Sequence, residues 1–452
     1  MSVSKEHRLS MSEKVTYGFG DCAANVYVAM ASSFLTAYYT DTVGLAALAV
    51  GTMMLIARIF DGVTDLVMGA IVDKTKSKYG KARPWVLWTA PFMCIGLIAM
   101  FSVPKGLSQS QGLIYAYVSY IFMNCIVYTA NNLPYNALLS RMTLNVQDRA
   151  QTASLRFIMT QITSMIISAV TANLVTSLGW FWLSVIYGII EMIMLLVCFA
   201  GCKEHVGEDA DSGNIKVENV PLKTALPALM KNQYFFLQAL LFLFLYINTV
   251  CIGAMGVYFC INVLGSMAVF TFMSMAQTIP AVIANLVNPA LVKKFGKRKV
   301  MMIGSVLMII GSCVIGLAGT SVPMIIVGIM IKGFGTGPIM SGVFAMTADV
   351  VDYGEWKTGV RSEGLVNSCT SFGMKVGIGI GSAACTWILA FGGYMEGTEA
   401  AMQPASAISA IRFGYGYFGA IMAAVCLLLV FMLNIDKNID KIQADLQAKH
   451  NA

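Results

Sequence analysis

"ARIFDGVTDLVMGAIVDKTKSKYGKARPW", residues 57–85, decides the fold. It begins as an apolar helical run, holds Arg58, Asp61 and Asp65 inside that run, and ends in Lys74, Lys76, Lys78, Lys81 and Arg83. An apolar run closed by clustered basic residues reads as a membrane span with its basic end on the cytoplasmic side. Composition agrees. Of 452 residues, 57% are hydrophobic and 12% are charged, about half the charged share of a soluble domain. Mean hydropathy is +0.72. A spanning helix needs about 20 apolar residues, so the chain has room for about twelve spans.

The apolar runs fall near 17–40, 44–72, 84–104, 112–139, 152–177, 179–201, 232–262, 267–292, 300–319, 322–348, 365–392 and 409–434. The loops between them alternate in charge. Arg141 and Arg149 follow the fourth run, and Lys293, Lys294, Lys297, Arg298 and Lys299 follow the eighth. "TDTVGL" (40–45) and "LAGTSVP" (317–323) carry no Lys or Arg. Basic loops stay inside, so both termini are expected in the cytoplasm. "MSVSKEHRLSMSEK" (1–14) has no apolar core before a small-residue cleavage site, so it does not read as a cleaved signal. The net charge of +7 sits at helix ends, which points to topology and away from nucleic acid. The 11 cysteines are scattered, many in apolar runs, and read as small buried hydrophobes.

The polar stretch 202–231 splits the chain near its midpoint. It predicts a six-helix bundle over 1–201, a cytoplasmic linker over 202–231 and a second six-helix bundle with a cytoplasmic tail over 232–452. "YGKAR" (79–83) and "FGKRK" (295–299) both follow the second run of a half. Duplicated halves of this kind are the mark of major-facilitator-type transporters. The expected fold is therefore all-α: twelve transmembrane helices in two pseudo-symmetric bundles.

A charge at the bilayer centre costs about 2.5–3.5 kcal/mol on insertion scales. Intramembrane polar residues are thus candidates for function: Asp21 and Asn25 in span 1, Arg58, Asp61 and Asp65 in span 2, Asn131 and Asn132 in span 4, Arg156 in span 5, Glu191 in span 6 and Lys375 in span 11. Asp61 and Asp65, four apart, share one helix face, with Thr64 beside them. Two carboxylates and a hydroxyl suit a hard monovalent cation or a proton. The plainer reading is an Asp–Arg pair that locks two helices. Span 4 reads "NCIVYTANNLPYNALLS" (124–140); Pro134 weakens its backbone, and Thr129 and the asparagines suit either a cavity wall or a hydrogen-bonded seam. Arg156 is either a cavity residue or a snorkelling anchor. Lys375, among glycines, calls for a carboxylate partner. "DVVDYGEWKTGVRSEG" (349–364) reads as a charged cytoplasmic loop. Its Asp352, Glu355 and Arg361 are candidates for gating ion pairs with the basic loops after spans 2 and 8.

Taken in order, "YGFGD" (17–21), "YYTD" (38–41), "ARIFDGVTD" (57–65), "GKARPW" (80–85), "YTANNLPY" (128–135) and "DYGEWKTGVRSEG" (352–364) resemble the glycoside–pentoside–hexuronide cation symporters, a branch of the major facilitator superfamily. The resemblance covers nearly the whole chain. It implies a sugar carrier of the inner membrane, working as a monomer with no cofactor and coupled to Na+ or H+. It implies a cation site of Asp61, Asp65 and Thr129, with Thr64 where the family's galactoside carrier has an asparagine. It places the sugar at Asn25, Asn132, Asn136, Arg156 and Lys375. Asn25 and Asn132 stand where that carrier has acids, and Asn136 where it has an aromatic ring. Asp21, one turn before Asn25, can replace a lost acid. With two acids gone, the site is expected to accept a carboxylate-bearing sugar unless Asp21 faces it.

Two other classes are weighed against transport. "GFGD" (18–21) fits the GxGD pattern of intramembrane aspartyl proteases, but the partner Tyr-Asp element is missing from the apolar spans, and twelve spans in two halves do not suit that class. A sugar sensor would be expected to add a long cytoplasmic signalling domain. The expectation is a transporter and no enzyme.

Overall fold

The computed structural model describes residues 8–75, 77–143, 145–205, 227, 229–360, 363–437 and 439–450, and among these every regular element is helical. That follows from the solvent. Lipid offers no hydrogen bonds, so a lone spanning segment must satisfy its own backbone.

The chain folds as two compact units. The first holds α1 (Met11–Ser33), α2 (Ala47–Lys74), α3 (Arg83–Met100) and α4 (Gln109–Met142). Its last helical run, Val146–Gly201, breaks at Gly179, where φ is +74°. The Thr171 hydroxyl lies 2.9 Å from the Tyr187 hydroxyl across that break, so the run folds back as α5 (146–178) and α6 (180–201). Glycine accepts this left-handed conformation without strain. Ser10 starts α1 with a capping box: its hydroxyl accepts from Glu13 N–H, and Glu13 accepts from Ser10 N–H at 2.9 Å.

The second unit holds α7 (Gln233–Asn262), α8 (Val269–Phe295), α9 (Lys297–Leu317), α10 (Val322–Thr358), α11 (Glu363–Phe391), α12 (Ala405–Met432) and a short terminal α13 (Ile439–His450). Small residues set its packing. The Cβ positions of Gly373, Gly377 and Gly381 on α11 would lie 3.0, 2.6 and 2.9 Å from the backbone oxygens of Ala239, Leu243 and Ile247 on α7. On α10, Gly333 and Gly337 admit the α8 backbone in the same way. With lipid as apolar as the helices, close backbone approach of this kind is what holds spans together. Large apolar side chains instead face outward, as Trp88, Phe92 and Ile95 do along one stripe of α3.

Nine helical runs among the described residues are long and apolar enough to cross a membrane. The sequence predicts twelve. One run, Gln147–Gly201, contains two spans. Of the other two, α1 is diluted by Asp21 and Asn25, and α2 contributes the apolar stretch Ala47–Arg58.

One expectation is corrected. The charged motif from residue 349 is not a loop at its start, because α10 continues through it to Thr358 and ends at the left-handed Gly359. Asp352 and Glu355 are therefore helical. Asp352 accepts a hydrogen bond from Gln443 of α13 at 3.3 Å. Asp349, not one of the residues predicted for gating, forms the ion pair with Lys297 after α8, at 2.7 Å. Arg361 lies outside the described residues, as does most of the 202–231 linker.

The short repeat after spans 2 and 8 marks a matching device in both units. Glu204, just after α6, accepts from the backbone N–H of Lys81, Ala82 and Arg83 at 3.1, 2.8 and 2.8 Å. Asp436, just after α12, accepts from Arg298 N–H at 2.7 Å. In return Arg83 Nε donates to Phe199 O at 2.9 Å, and Arg298 Nε donates to Val430 O at 3.2 Å.

Candidate functional site

Two polar constellations lie in the first unit. The first is at the α2–α4 contact. Asp61 is 2% exposed. Thr129 donates its hydroxyl hydrogen to Asp61 Oδ1 at 2.9 Å, and Arg58 Nη1 stands 3.6 Å from Oδ2. Thr64 donates to the Asp61 backbone oxygen at 3.0 Å, so its hydroxyl is tied to its own helix with lone pairs to spare. Asp65, one turn on, is half-buried. The Arg58–Asp61 pair lies within α2, and both members reach α4: Asp61 through Thr129, and Arg58 through the Tyr120 hydroxyl. A π-helical turn, Phe122–Tyr128, sits directly before Thr129, and Cys125 in it donates to Ala57 O at 3.1 Å. Such turns often mark functional positions because they re-aim the side chains that follow.

The second constellation runs along α1 and α5. Arg156 Nη1 reaches the Tyr17 hydroxyl at 3.4 Å, Thr160 donates to Asp21 Oδ2 at 2.8 Å, and Ser164 donates to Asn25 Oδ1 at 3.2 Å. Each pair is separated by the same 139 residues, so the two helices run parallel in register, one turn per rung. Arg156 Nε also lies 3.3 Å from Asp21 Oδ2. Arg156 Nη1 donates to Asn136 Oδ1 at 2.8 Å, and Asn136 donates to Asn132 O at 2.8 Å, which brings α4 into the group. Tyr17 and Tyr135 stack at 4.6 Å and floor it, with the guanidinium 5.7 Å from the Tyr135 ring. The structure thus gathers Asp21, Asn25, Asn132, Asn136 and Arg156, and Asp21 does face Arg156.

The remaining candidates divide. Asn131 is buried and donates to Thr89 of α3 at 2.7 Å, so it belongs to a seam and not to a cavity wall. Glu191 is fully buried, and neither carboxylate oxygen has a hydrogen-bond partner among the described residues. Lys375 lies half-buried on α11 of the second unit. Sequence reasoning missed three residues. Thr160 and Ser164 look like ordinary helix hydroxyls until their 156–160–164 spacing is set against 17–21–25. Lys332, buried in the glycine-rich stretch of α10, is a lone charge in an apolar run and was readable as such.

Chemically, the first constellation presents carboxylate and hydroxyl oxygens, donors of the kind that suit a cation or a proton. The second presents amides, a guanidinium and an aromatic floor, groups of the kind that suit a hydroxyl-rich ligand.

Known proteins place the chain in the same class. Residues 16–437 match the family described as MFS/sugar transport protein. The chain is 32% identical to the isoprimeverose transporter of Lactiplantibacillus pentosus over 460 residues, covering 99% of this chain and 94% of that one. It is 31% identical to the glucuronide carrier protein homolog of Escherichia coli strain K12, covering 86% and 85%. Among solved structures it resembles a bacterial homolog of the human lysosomal transporter Spinster, with TM-score 0.69 at 13% identity, covering 96% of this chain and 97% of that one. It also resembles a D-xylose-proton symporter, with TM-score 0.65 at 12% identity, covering 94% and 97%. At those identities the structures speak for the fold alone. The chain belongs to the MFS/sugar transport protein family, the glycoside–pentoside–hexuronide type of cation symporter within the major facilitator superfamily.

Proposed function

We propose that this protein is a secondary active carrier that moves a sugar or glycoside across the inner membrane together with a cation, with both termini in the cytoplasm. It performs no covalent chemistry and acts as a monomer. Asp61, Asp65, Thr64 and Thr129 hold the cation; Asn25, Asn132, Asn136 and Arg156 hold the sugar, and Lys375 is assigned to the same task. The observation that carries the reading is the buried Asp61 carboxylate tied across helices to Thr129. A buried charge in a membrane helix is costly, and it persists where its task is to exchange a counter-charge.

The cation neutralises Asp61 and Asp65 and, through α4, steadies the face that carries Asn132 and Asn136. Sugar affinity rises with cation occupancy, and by linkage cation affinity rises equally with sugar. Alternating access then moves the loaded site from one side to the other.

Na+ and H+ are both open as the coupling cation. Proton coupling draws support from Arg58, whose fixed positive charge 3.6 Å from Asp61 Oδ2 opposes a metal cation there. Uptake by proteoliposomes, measured with a panel of glycosides under a Na+ gradient alone and a pH gradient alone, tests both levels. Accumulation under neither gradient would overturn symport.

A further inference from the structure

Resting on the sugar-site reading of α1, α4 and α5, we propose that Asp21 determines substrate charge: it is a built-in counter-ion for Arg156, positioned by Thr160, and it restricts the carrier to neutral glycosides. A guanidinium recognises a carboxylate best through two parallel N–H···O bonds from one edge. Here Nε already faces Asp21 Oδ2 at 3.3 Å, and Nη1 is committed to Asn136 at 2.8 Å and Tyr17 at 3.4 Å. The edges that contain Nε and Nη1 are each occupied at one end. Nη2 is left to donate to single acceptors, which is what a sugar hydroxyl or ring oxygen is.

Asp21 cannot easily swing away. Thr160 donates to the same Oδ2 at 2.8 Å, so that oxygen is held by both Thr160 and Arg156. An incoming sugar carboxylate would therefore meet a paired guanidinium and a fixed like charge one turn from Asn25. A neutral sugar meets neither penalty and finds four amide and guanidinium groups with an aromatic floor. The loss of acids at Asn25 and Asn132 is thus offset by Asp21, placed behind the arginine.

The experiment is competition binding to purified protein with matched 4-nitrophenyl β-xyloside, β-glucoside and β-glucuronide. Wild type is expected to bind the better neutral glycoside at least tenfold more tightly than the glucuronide. Asp21→Asn keeps the shape and removes the charge, and is expected to narrow or invert that ratio by at least tenfold. Asp21→Glu should keep the neutral preference. Thr160→Val should narrow the ratio, but by less than Asp21→Asn does, because it loosens Asp21 and leaves its charge. Equal binding of glucoside and glucuronide by wild type overturns the proposal without any variant. So does an unchanged ratio in a folded Asp21→Asn protein. Failure of wild type to bind any sugar in a wider panel would instead overturn the sugar reading itself.

Discussion

Arg83 and Glu204 hold the ends of two helices against each other. The Glu204 carboxylate accepts the Arg83 backbone N–H at 2.8 Å, while the Arg83 side chain donates back to Phe199 O at 2.9 Å and lies 4.3 Å from the Phe199 ring. The α3 start has no capping side chain of its own, since its cap position is Ala82. Glu204 supplies the cap from beyond α6, where a carboxylate also meets the positive end of the helix dipole. Arg298 and Asp436 repeat the arrangement at α9 and α12, with Gly296 at the cap position of α9. Removing a cap costs about 1 kcal/mol, within a range of about 0.5–2. Glu204→Ala and Asp436→Ala should each lower the thermal midpoint in detergent, and Glu204→Gln should lower it less. The buried free cysteines make a thiol-reactive dye a direct readout. Unchanged midpoints in both alanine variants would return these contacts to surface decoration.

The α7–α11 seam makes a sharper test, because backbone cannot yield as a side chain can. A Cβ at Gly377 would lie 2.6 Å from Leu243 O. Gly253, on α7 itself, has open space within 4 Å of its Cβ position. Gly377→Val should cost about 1–3 kcal/mol by overpacking. Gly253→Ala should be neutral or slightly stabilising, since alanine is the better helix former. Comparing the amounts of folded protein after extraction distinguishes the two. Similar yields would mean the seam is looser than its geometry.

Lys375 lies on α11 between two of those glycines, half-buried, whereas Lys293 is exposed at a basic helix end. Lys375→Ala should reduce initial uptake by about tenfold or more, the factor that corresponds to about 1.4 kcal/mol. Lys293→Ala should change it less than twofold, because neighbouring lysines carry the same topological signal. Equal and mild losses would make Lys375 a packing residue.

Residues whose cost is visible in one dimension are legible before folding. Asp61 and Asp65 stand out because a carboxylate in an apolar run needs a reason, and the basic cluster after them carries the orientation signal. The α1–α5 ladder is half legible: Asp21, Asn25 and Arg156 are conspicuous, but Thr160 and Ser164 are not. A helix hydroxyl usually returns to its own backbone, so only the parallel register reveals that these two reach across. Glu204 and Asp436 are illegible for a related reason. They are ordinary acids in polar stretches, and their role depends on a partner more than a hundred residues away. The extension of α10 through Thr358 is hidden because its charges look like a loop. A helix that leaves the bilayer carries charges too, and Gly359 is the true stop.

The cation assignment makes the most exposed prediction. Thr129 donates to Asp61 Oδ1, so the carboxylate is held by a hydroxyl that can itself turn an oxygen lone pair to a cation. Asp61→Asn removes the charge and keeps the size; uphill accumulation should vanish, while downhill equilibration and exchange persist, because coupling and translocation are separable. Asp65→Asn should do the same or raise the half-saturating cation concentration at least tenfold. Thr129→Val is the discriminating variant. It leaves both carboxylates but frees Oδ1 of its donor, so the half-saturating cation concentration should rise severalfold with little change in sugar affinity at saturating cation. Assaying this variant across both Na+ concentration and pH tests the site and shows on which ion uptake depends. A Thr129→Val carrier with wild-type dependence on both, or an Asp61→Asn, Asp65→Asn double variant that still concentrates sugar, would place the coupling site elsewhere.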